Sequence, residues 1–293
     1  MSENLKKDRG LKSPKSWIRM ILVVILTSVI IVSQAIGLSL VAEMDIPPLY
    51  RTALAELVPL ILATLLMIAL GGRKWLGTNM ESIRYAFKVA WVFPALGLAV
   101  SIWRVISSIT SKTPLTDGFL INLVGVILAC VLIGYFEEIL YRGINFGSML
   151  ALLGSSKKLI LLAVLISSWT FGRVHVTSLS LSDPMVFIQS ILKIIQTGML
   201  GVVMCEVFMH TKKIGGPAIL HAANDLMLMI TGALYEGKSV SGVYVNTDAT
   251  TGGLVIIVYL FMIAVYLYPT ITAFRRIWKD YDECYGPFVK EQE

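Results

Sequence analysis

The stretch MILVVILTSVIIVSQAIGLSLV, residues 20–41, contains no charged side chain. A membrane-crossing helix needs about 20 such residues, because the hydrocarbon core of a bilayer is about 30 Å thick. Similar apolar blocks recur along the chain, which is 56% hydrophobic and 15% charged, with a mean hydropathy of +0.76. This composition excludes a disordered chain, and it predicts a multi-pass membrane protein rather than a water-soluble enzyme.

The apolar blocks are separated by glycine and proline residues. We place eight of them, at residues 20–42, 53–72, 86–108, 119–141, 158–177, 185–209, 215–234 and 252–274. In lipid every backbone polar group needs an internal partner, and the alternating pattern of a membrane β-barrel is not visible. The predicted fold is therefore an all-α, polytopic transmembrane bundle of about eight helices.

We expect the bundle to form one domain, residues 17–279, with a motif-bearing core at residues 119–234. Polar tails flank it at residues 1–16 and 280–293. The first apolar run is longer than the core of about 7–15 residues in a signal peptide. We therefore interpret that run as a transmembrane helix rather than a cleaved leader.

Lysine and arginine residues are concentrated on one side of the predicted bundle. With the N-terminus in the cytoplasm, that side carries the groups at 6–19, 73–84, 157–158, 212–213 and 275–279, and the other side carries mainly Arg51, Arg104, Lys112, Arg173 and Lys238. The positive-inside rule then predicts two cytoplasmic termini, as an even number of spans requires. This asymmetry explains the net charge of +6, and no nucleic-acid partner is predicted.

Ionisable residues inside the apolar blocks are the candidates for function. A charged side chain at the centre of a membrane helix costs about 2.5–3.5 kcal/mol on insertion scales, so such residues usually mark a site. The blocks contain or border Glu56, Glu137, Glu138, Arg142, Arg173, His175, Lys193, Glu206, His221 and Asp225.

Three short patterns hold most of these residues. Glu138 and Arg142 are four residues apart, so on a helix they share a face and can pair, while Glu137 points about 100° away and remains available. A plain salt bridge at a helix end is the structural alternative. The other patterns are Phe171-xxx-His175 and His221-xxx-Asp225, and either histidine alone is more typical of a packed, hydrogen-bonded side chain.

Taken together, the patterns favour catalysis. Two acids, two histidines and an Asx residue supply a general base, its partner and polarising donors. The HExxH pattern of metalloproteases is absent, and no serine nucleophile elbow is apparent.

The order Glu137-Glu138-xxx-Arg142, Phe171-xxx-His175, His221-xxx-Asp225 resembles the CPBP family of intramembrane proteases. This family includes the type II CAAX prenyl endopeptidases and the bacterial Abi proteins, and its pattern is EExxxR, FxxxH and then HxxxN or HxxxD. The resemblance implies an integral, multi-pass enzyme that hydrolyses a peptide bond within or beside the membrane. The short loops are more similar to the bacterial branch, so we expect a bacterial cell membrane.

The resemblance also implies roles for individual residues. Glu137 with His175 would activate the attacking water, and His221 with residue 225 would stabilise the oxyanion. Glu138 and Arg142 would hold the site together, with Phe171 and Asn224 as supporting neighbours. An ionised Asp225 cannot donate to an oxyanion as an amide does, so Asp225 is protonated, or it orients His221, or Asn224 replaces it.

The metal requirement is left open by the motifs. Glu137, His175 and His221 could instead form a zinc site with an open water position. We favour the mechanism without a metal or other cofactor.

The expected partners are the lipid bilayer and a peptide or protein substrate, such as a CAAX-type C-terminus, a bacteriocin or a signal peptide. We expect the cavity to face the cytoplasm, because the fourth block ends there and the seventh begins there. One alternative is a non-catalytic protein, a bacteriocin self-immunity factor or a sensor-kinase scaffold, which would bind a membrane-protein partner. Another is a transporter that uses Lys193, Glu56 and Glu206 as a charge pathway.

Overall fold

The computed structural model describes residues 14–176, 180, 182–237 and 245–288, and the regular secondary structure within these ranges is all helical, without strands. The long helices are α1 (Pro14–Ala42), α2 (Pro48–Ala69), α4 (Val92–Thr110), α5 (Phe119–Glu138), α7 (Lys157–Val174), α8 (Pro184–Thr211), α9 (Gly215–Glu236) and α10 (Ala249–Asp280). Shorter elements are α3 (Met80–Ala90), a π-helical segment (Ile139–Phe146), α6 (Gly147–Leu153) and the 3₁₀ turns Arg73–Trp75 and Gly286–Phe288. Outside the described residues lie Lys6, Lys7, Arg9, Lys12 and Lys238, together with residues 1–13 and 289–293 of the predicted tails.

Among the described residues, seven stretches are long and apolar enough to cross a membrane. They are Trp17–Ala42, Pro48–Ala69, Val92–Thr110, Phe119–Leu153, Pro184–Thr211, Gly215–Glu236 and Thr251–Asp280. The predicted all-α, polytopic bundle is confirmed, and the chain is an integral multi-pass membrane protein. A helix also forms at the predicted fifth block, but α7 is not among the seven, because Lys157, Lys158 and Arg173 lower its hydropathy.

The predicted third block, residues 86–108, is divided in the structure. The amphipathic helix α3 comes first, and α4 begins only after Trp91. The side chain of Asn79 caps α3 by accepting the backbone N–H of Ser82 at 2.8 Å. Pro94 lies in the first turn of α4, where its missing N–H leaves no helical hydrogen bond unmade. The membrane-crossing part of this region therefore starts later than the sequence predicts.

The predicted fourth block, residues 119–141, continues without interruption to Leu153 through the π-helical segment. Gly143 lies in this segment, where a Cβ atom would be only 2.7 Å from Sδ of Met67 on α2. A glycine there lets the widened turn pack against α2. Segments of π-helix are frequent at functional sites, because they change the direction of the side chains around them.

The bundle has two distinct ends. At the basic end, the guanidinium of Arg19 donates to the carbonyl of Leu70, and Lys213 donates to the carbonyl of Lys74. At the opposite end, the backbone N–H of Thr116 donates to the carbonyl of Leu234. Helices α1, α4, α7 and α9 run from the basic end to the opposite end, and α2, α5, α8 and α10 run back.

Close packing between α5 and α9 brings the predicted site together. A Cβ atom at Gly134 would lie 2.7 Å from the carbonyl oxygen of Ala218 and 3.0 Å from the backbone nitrogen of Ala222, so only glycine allows this approach. One turn further along α5, the side chain of Glu138 reaches His221 on α9.

Candidate active site

All six predicted site residues, which come from four elements, meet in the interior of the bundle. Glu137 and Glu138 end α5, Arg142 lies in the π-helical segment, and His175 caps the C-terminus of α7. His221 and Asp225 lie one turn apart on α9. The supporting residues Phe171 and Asn224 lie among them, on α7 and α9.

Glu138 and Arg142 form the predicted pair, and Glu138 also binds the imidazole of His221. Nη1 of Arg142 lies 3.0 Å from Oε1 of Glu138, at an ion-pair distance without hydrogen-bond alignment, and neither side chain is exposed. The same Oε1 accepts a hydrogen bond at 2.8 Å from Nδ1 of His221. Because a carboxylate only accepts, Nδ1 carries the proton, and Nε2 of His221 faces Glu137 and Asp225.

Glu137 lies between the two histidines. Its Oε2 is 3.8 Å from Nε2 of His175 and 3.8 Å from Nε2 of His221. These distances are too long for direct hydrogen bonds, and Oε2 has no hydrogen-bond partner within the described part of the chain. Two atoms 3.8 Å apart can share one water molecule, which is the arrangement that activation of water requires.

The tautomer of His175 follows from its other nitrogen. Nδ1 donates to the backbone carbonyl of Phe171 at 2.7 Å, so Nε2 of the neutral ring carries a lone pair. This lone pair faces Oε2 of Glu137. The four-residue spacing of Phe171 and His175 thus serves both the hydrogen bond and the contact between the two rings, whose centroids are 4.7 Å apart.

Phe171 is the hydrophobic wall of the site. Its ring lies 3.9 Å below the guanidinium carbon of Arg142, at a cation–π distance, and meets the imidazole of His221 edge to face at 5.7 Å. Phe171 is 1% exposed. One buried ring therefore contacts Arg142 and both histidines and limits their movement.

Asp225 and Asn224 complete the site from α9. Oδ2 of Asp225 is 3.5 Å from Nε2 of His221, and Oδ1 accepts from the amide nitrogen of Asn224 at 3.3 Å. That amide has a second N–H, and Asn224 lines the same cavity as Glu137 and His175. Glu138 is thus the closer carboxylate to His221, and Asp225 is the second.

The site opens into a cavity of about 710 Å³. Its lining includes the predicted polar residues Glu56 and Lys193, and Lys193 donates to Gln196 at 3.2 Å. Sequence reasoning missed Gln34, which donates to Oε1 of Glu56 at 2.7 Å, although Gln34 is the one amide in the first apolar run. It also treated Arg104, another lining residue, only as a topology signal.

Glu206 and Arg173 belong neither to the cavity lining nor to the buried Glu138–Arg142 pair. Glu206 accepts from the hydroxyl of Tyr85 and lies 3.9 Å from Arg276 near the basic end. Burial and then the adjacent Glu206 raise the pKa of the Tyr85 phenol, which therefore remains a donor at neutral pH. Arg173 donates to the carbonyl of Val176 at 2.6 Å. The suggested charge pathway from Glu56 and Lys193 to Glu206 is thus not continuous along the cavity.

Oε2 of Glu137 lies further from the two imidazole nitrogens than the donor atoms of a tetrahedral zinc site lie from one another. Donor atoms around tetrahedral zinc are about 3.3 Å apart, given metal–ligand distances of about 2.0–2.1 Å. Oε2 of Glu137 is 3.8 Å from each imidazole nitrogen, and within the described ranges no group of three His, Cys, Asp or Glu side chains could hold a metal ion. These residues, as placed, do not fit a zinc ion.

A protein-family model matches the segment of the chain that carries this site. No curated protein and no solved structure matches the chain. Residues 119–227 match the family model described as type II CAAX prenyl endopeptidase Rce1-like. That segment runs from the start of α5 to the middle of α9 and includes Glu137, His175 and His221. Over residues 119–227 the chain is therefore similar to the Rce1-like type II CAAX prenyl endopeptidases, and this similarity supports the resemblance to the CPBP/Abi family.

Proposed function

We propose that this chain is an intramembrane endopeptidase in which Glu137 and His175 activate the water that attacks the substrate. The Rce1-like family supports a CAAX-type intramembrane endopeptidase in general, and hence a hydrolase. The observation that carries the specific proposal is the position of Oε2 of Glu137, 3.8 Å from Nε2 of His175, at the wall of a cavity of about 710 Å³.

In the first step, one water molecule donates one hydrogen to Oε2 of Glu137 and the other to the lone pair of Nε2 of His175. Both partners are acceptors, so the water turns a lone pair of its oxygen toward the substrate carbonyl carbon. Glu137 takes a proton as the carbon–oxygen bond forms. Glu137 then returns this proton to the leaving amine as the peptide carbon–nitrogen bond breaks.

The developing oxyanion needs donors on the other side of the carbonyl. We assign this role to Nε2 of His221 in its protonated form and to the second amide N–H of Asn224. Glu138 accepts from Nδ1 of His221 and fixes the ring. Asp225 accepts from Asn224 and lies beside His221, so it acts as a positioning residue where an HxxxN sequence has an amide.

No metal takes part in the proposed mechanism. The cavity is large enough for a short segment of extended polypeptide, since pockets of about 300–1,000 Å³ accommodate ligands of this size. A CAAX-type C-terminus, a bacteriocin and a signal peptide remain the substrate candidates, and we further propose that the protein lies in a bacterial cell membrane.

A histidine comparison tests the function. The described histidines comprise His175, His221 and His210, and His210 stacks on Tyr85 outside the cavity lining. We expect His175→Ala to lower the cleavage rate of purified, detergent-solubilised protein by about 10²–10⁴-fold, because it removes one acceptor of the attacking water. His210→Ala should retain the wild-type rate. The substrates are quenched fluorescent peptides, unmodified or farnesylated at the C-terminus.

Equal cleavage by wild type and His175→Ala would contradict the proposal. Protein that binds a peptide from this set with the same affinity before and after His175→Ala, but cleaves none, would instead favour the non-catalytic interaction protein.

A further inference from the structure

The catalytic cavity is closed toward the basic end. Between the Glu138–Arg142 pair and that end lies a layer of apolar side chains, each at most 1% exposed. It consists of Met67, Leu140, Ile144, Phe146, Phe208 and Ile214. Such a layer excludes a polypeptide, because protein interiors are packed as densely as organic crystals.

The cavity reaches the surface at the opposite end. Its lining includes Leu38 near the end of α1, Arg104 in the second half of α4, and Glu236, the last residue of α9. All three are exposed. Of the helices that run the other way, α2 and α10 contribute lining residues only from the halves nearer this end, as Thr52 and Tyr259 illustrate. On α5 the lining residues lie near the end of the helix, at the depth of Glu137.

The distribution of cations orients these two ends in a membrane. The described basic end carries Arg73, Lys74, Lys157, Lys158, Lys212, Lys213, Arg275, Arg276 and Lys279. The loops and helix ends at the opposite end carry Arg51, Lys112 and Arg173 beside the acidic residues Glu43, Asp45, Asp117 and Asp183. By the positive-inside rule the basic end, where α1 begins and α10 ends, faces the cytoplasm.

The cavity is closed by an apolar layer at the basic end and reaches the surface at the opposite end. From these two features and the charge distribution, we infer that the substrate enters the cavity from the extracytoplasmic side of the membrane. The inference rests on the proposed function and adds the class of substrate: a polypeptide segment that already lies on the outer side. It reverses the cytoplasm-facing cavity that the sequence favours. The reversal arises because the helical span continues beyond Glu137 to Leu153, so that the two glutamates do not lie at the end of the span.

Thiol labelling in sealed membranes tests the direction of access without requiring catalysis. Gly232 lines the cavity, and a Cβ atom there meets nothing within 4 Å, so Gly232→Cys introduces a reporter thiol at low cost. Lys112→Cys reports the accessibility of the opposite end to the thiol reagent, and Lys158→Cys reports that of the basic end, because both lysines are exposed. Each variant carries Cys284→Ser, since Cys130 and Cys205 are buried but Cys284 is partly exposed.

We expect a membrane-impermeant maleimide to label Gly232→Cys and Lys112→Cys in intact spheroplasts, and Lys158→Cys only in inverted vesicles. Labelling of Gly232→Cys together with Lys158→Cys would overturn the inference, as would a Gly232→Cys thiol that reacts from neither side. Each variant is first checked for a single monodisperse species in detergent.

A cleavage measurement separates this inference from the proposed function. An impermeant quenched peptide that the solubilised enzyme cleaves should also be cleaved by spheroplasts and not by sealed inverted vesicles. Cleavage in detergent and in inverted vesicles only would overturn the direction of access and leave the proposed function intact. If no peptide is cleaved in detergent, the proposed function fails, and the labelling pattern alone still decides which side the cavity faces.

Discussion

Glu137→Gln is expected to lower kcat for peptide cleavage by about 10²–10⁴-fold, the usual contribution of a general base. The amide keeps the size of the side chain but cannot take a proton from water at neutral pH. KM should change little, because the proposed role of Glu137 is in the transition state and not in substrate binding. Steady-state kinetics on one quenched peptide in detergent measures both constants.

The matched control for this variant is Glu81→Gln. Glu81 is an exposed glutamate in the first turn of α3, away from the cavity lining, so its replacement should leave kcat unchanged. Thermal unfolding of both variants should resemble that of the wild type. A Glu137→Gln enzyme that keeps the wild-type kcat would show that another group activates the water.

Arg142→Ala should be the most destabilising single substitution in the site. Removing one member of a fully buried ion pair typically costs about 3–5 kcal/mol, because the other charge is left without compensation. Here Glu138 would lose its cation, and the ring of Phe171 would lose the guanidinium 3.9 Å above it. Denaturant unfolding in mild detergent, followed by tryptophan fluorescence, measures the loss.

Two further variants show whether the loss of stability is specific to the buried ion pair. Lys157→Ala breaks the ion pair with Asp282 at 3.0 Å, which is largely exposed on the Asp282 side, and should cost about 0–1 kcal/mol. The double variant Glu138→Gln/Arg142→Met removes both buried charges and should recover part of the stability that Arg142→Ala loses. If Arg142→Ala is no more harmful than Lys157→Ala, the buried pair does not hold the site together.

The parts of the site that depend on local helix geometry could be predicted from sequence. Glu138 and Arg142 pair as expected, because residues four apart on a helix share a face. The contact of Phe171 with His175 has the same origin. The membrane helices could also be located from the local sequence, because the length of an apolar stretch decides whether a helix can span a bilayer.

The parts that depend on tertiary packing could not be predicted. The spacing of His221 and Asp225 suggested Asp225 as the partner of the ring, yet the closer carboxylate is Glu138, which lies on another helix. The approach of α5 to α9 at Gly134 produces this contact, and nothing near His221 in sequence indicates it.

The helix that carries the two glutamates was predicted too short for a related reason. Hydropathy falls after residue 141, where Arg142 and Asn145 follow closely, so the block appears to end there. In the structure Arg142 is not exposed at all, because Glu138 compensates its charge inside the bundle. The depth of the site along the bundle, and therefore the side from which the cavity opens, follows from this buried pair and not from the apolar pattern.

The most direct test of the central claim, that Glu137 and His175 act on the same water molecule, is a double-mutant cycle on kcat with Glu137→Gln, His175→Ala and the combined variant. Residues that act as a unit are strongly non-additive. The account predicts that the combined variant is hardly slower than the slower single variant. Losses that multiply, with the combined variant slower by the product of the two single effects, would mean that the two residues act independently and would contradict the shared water.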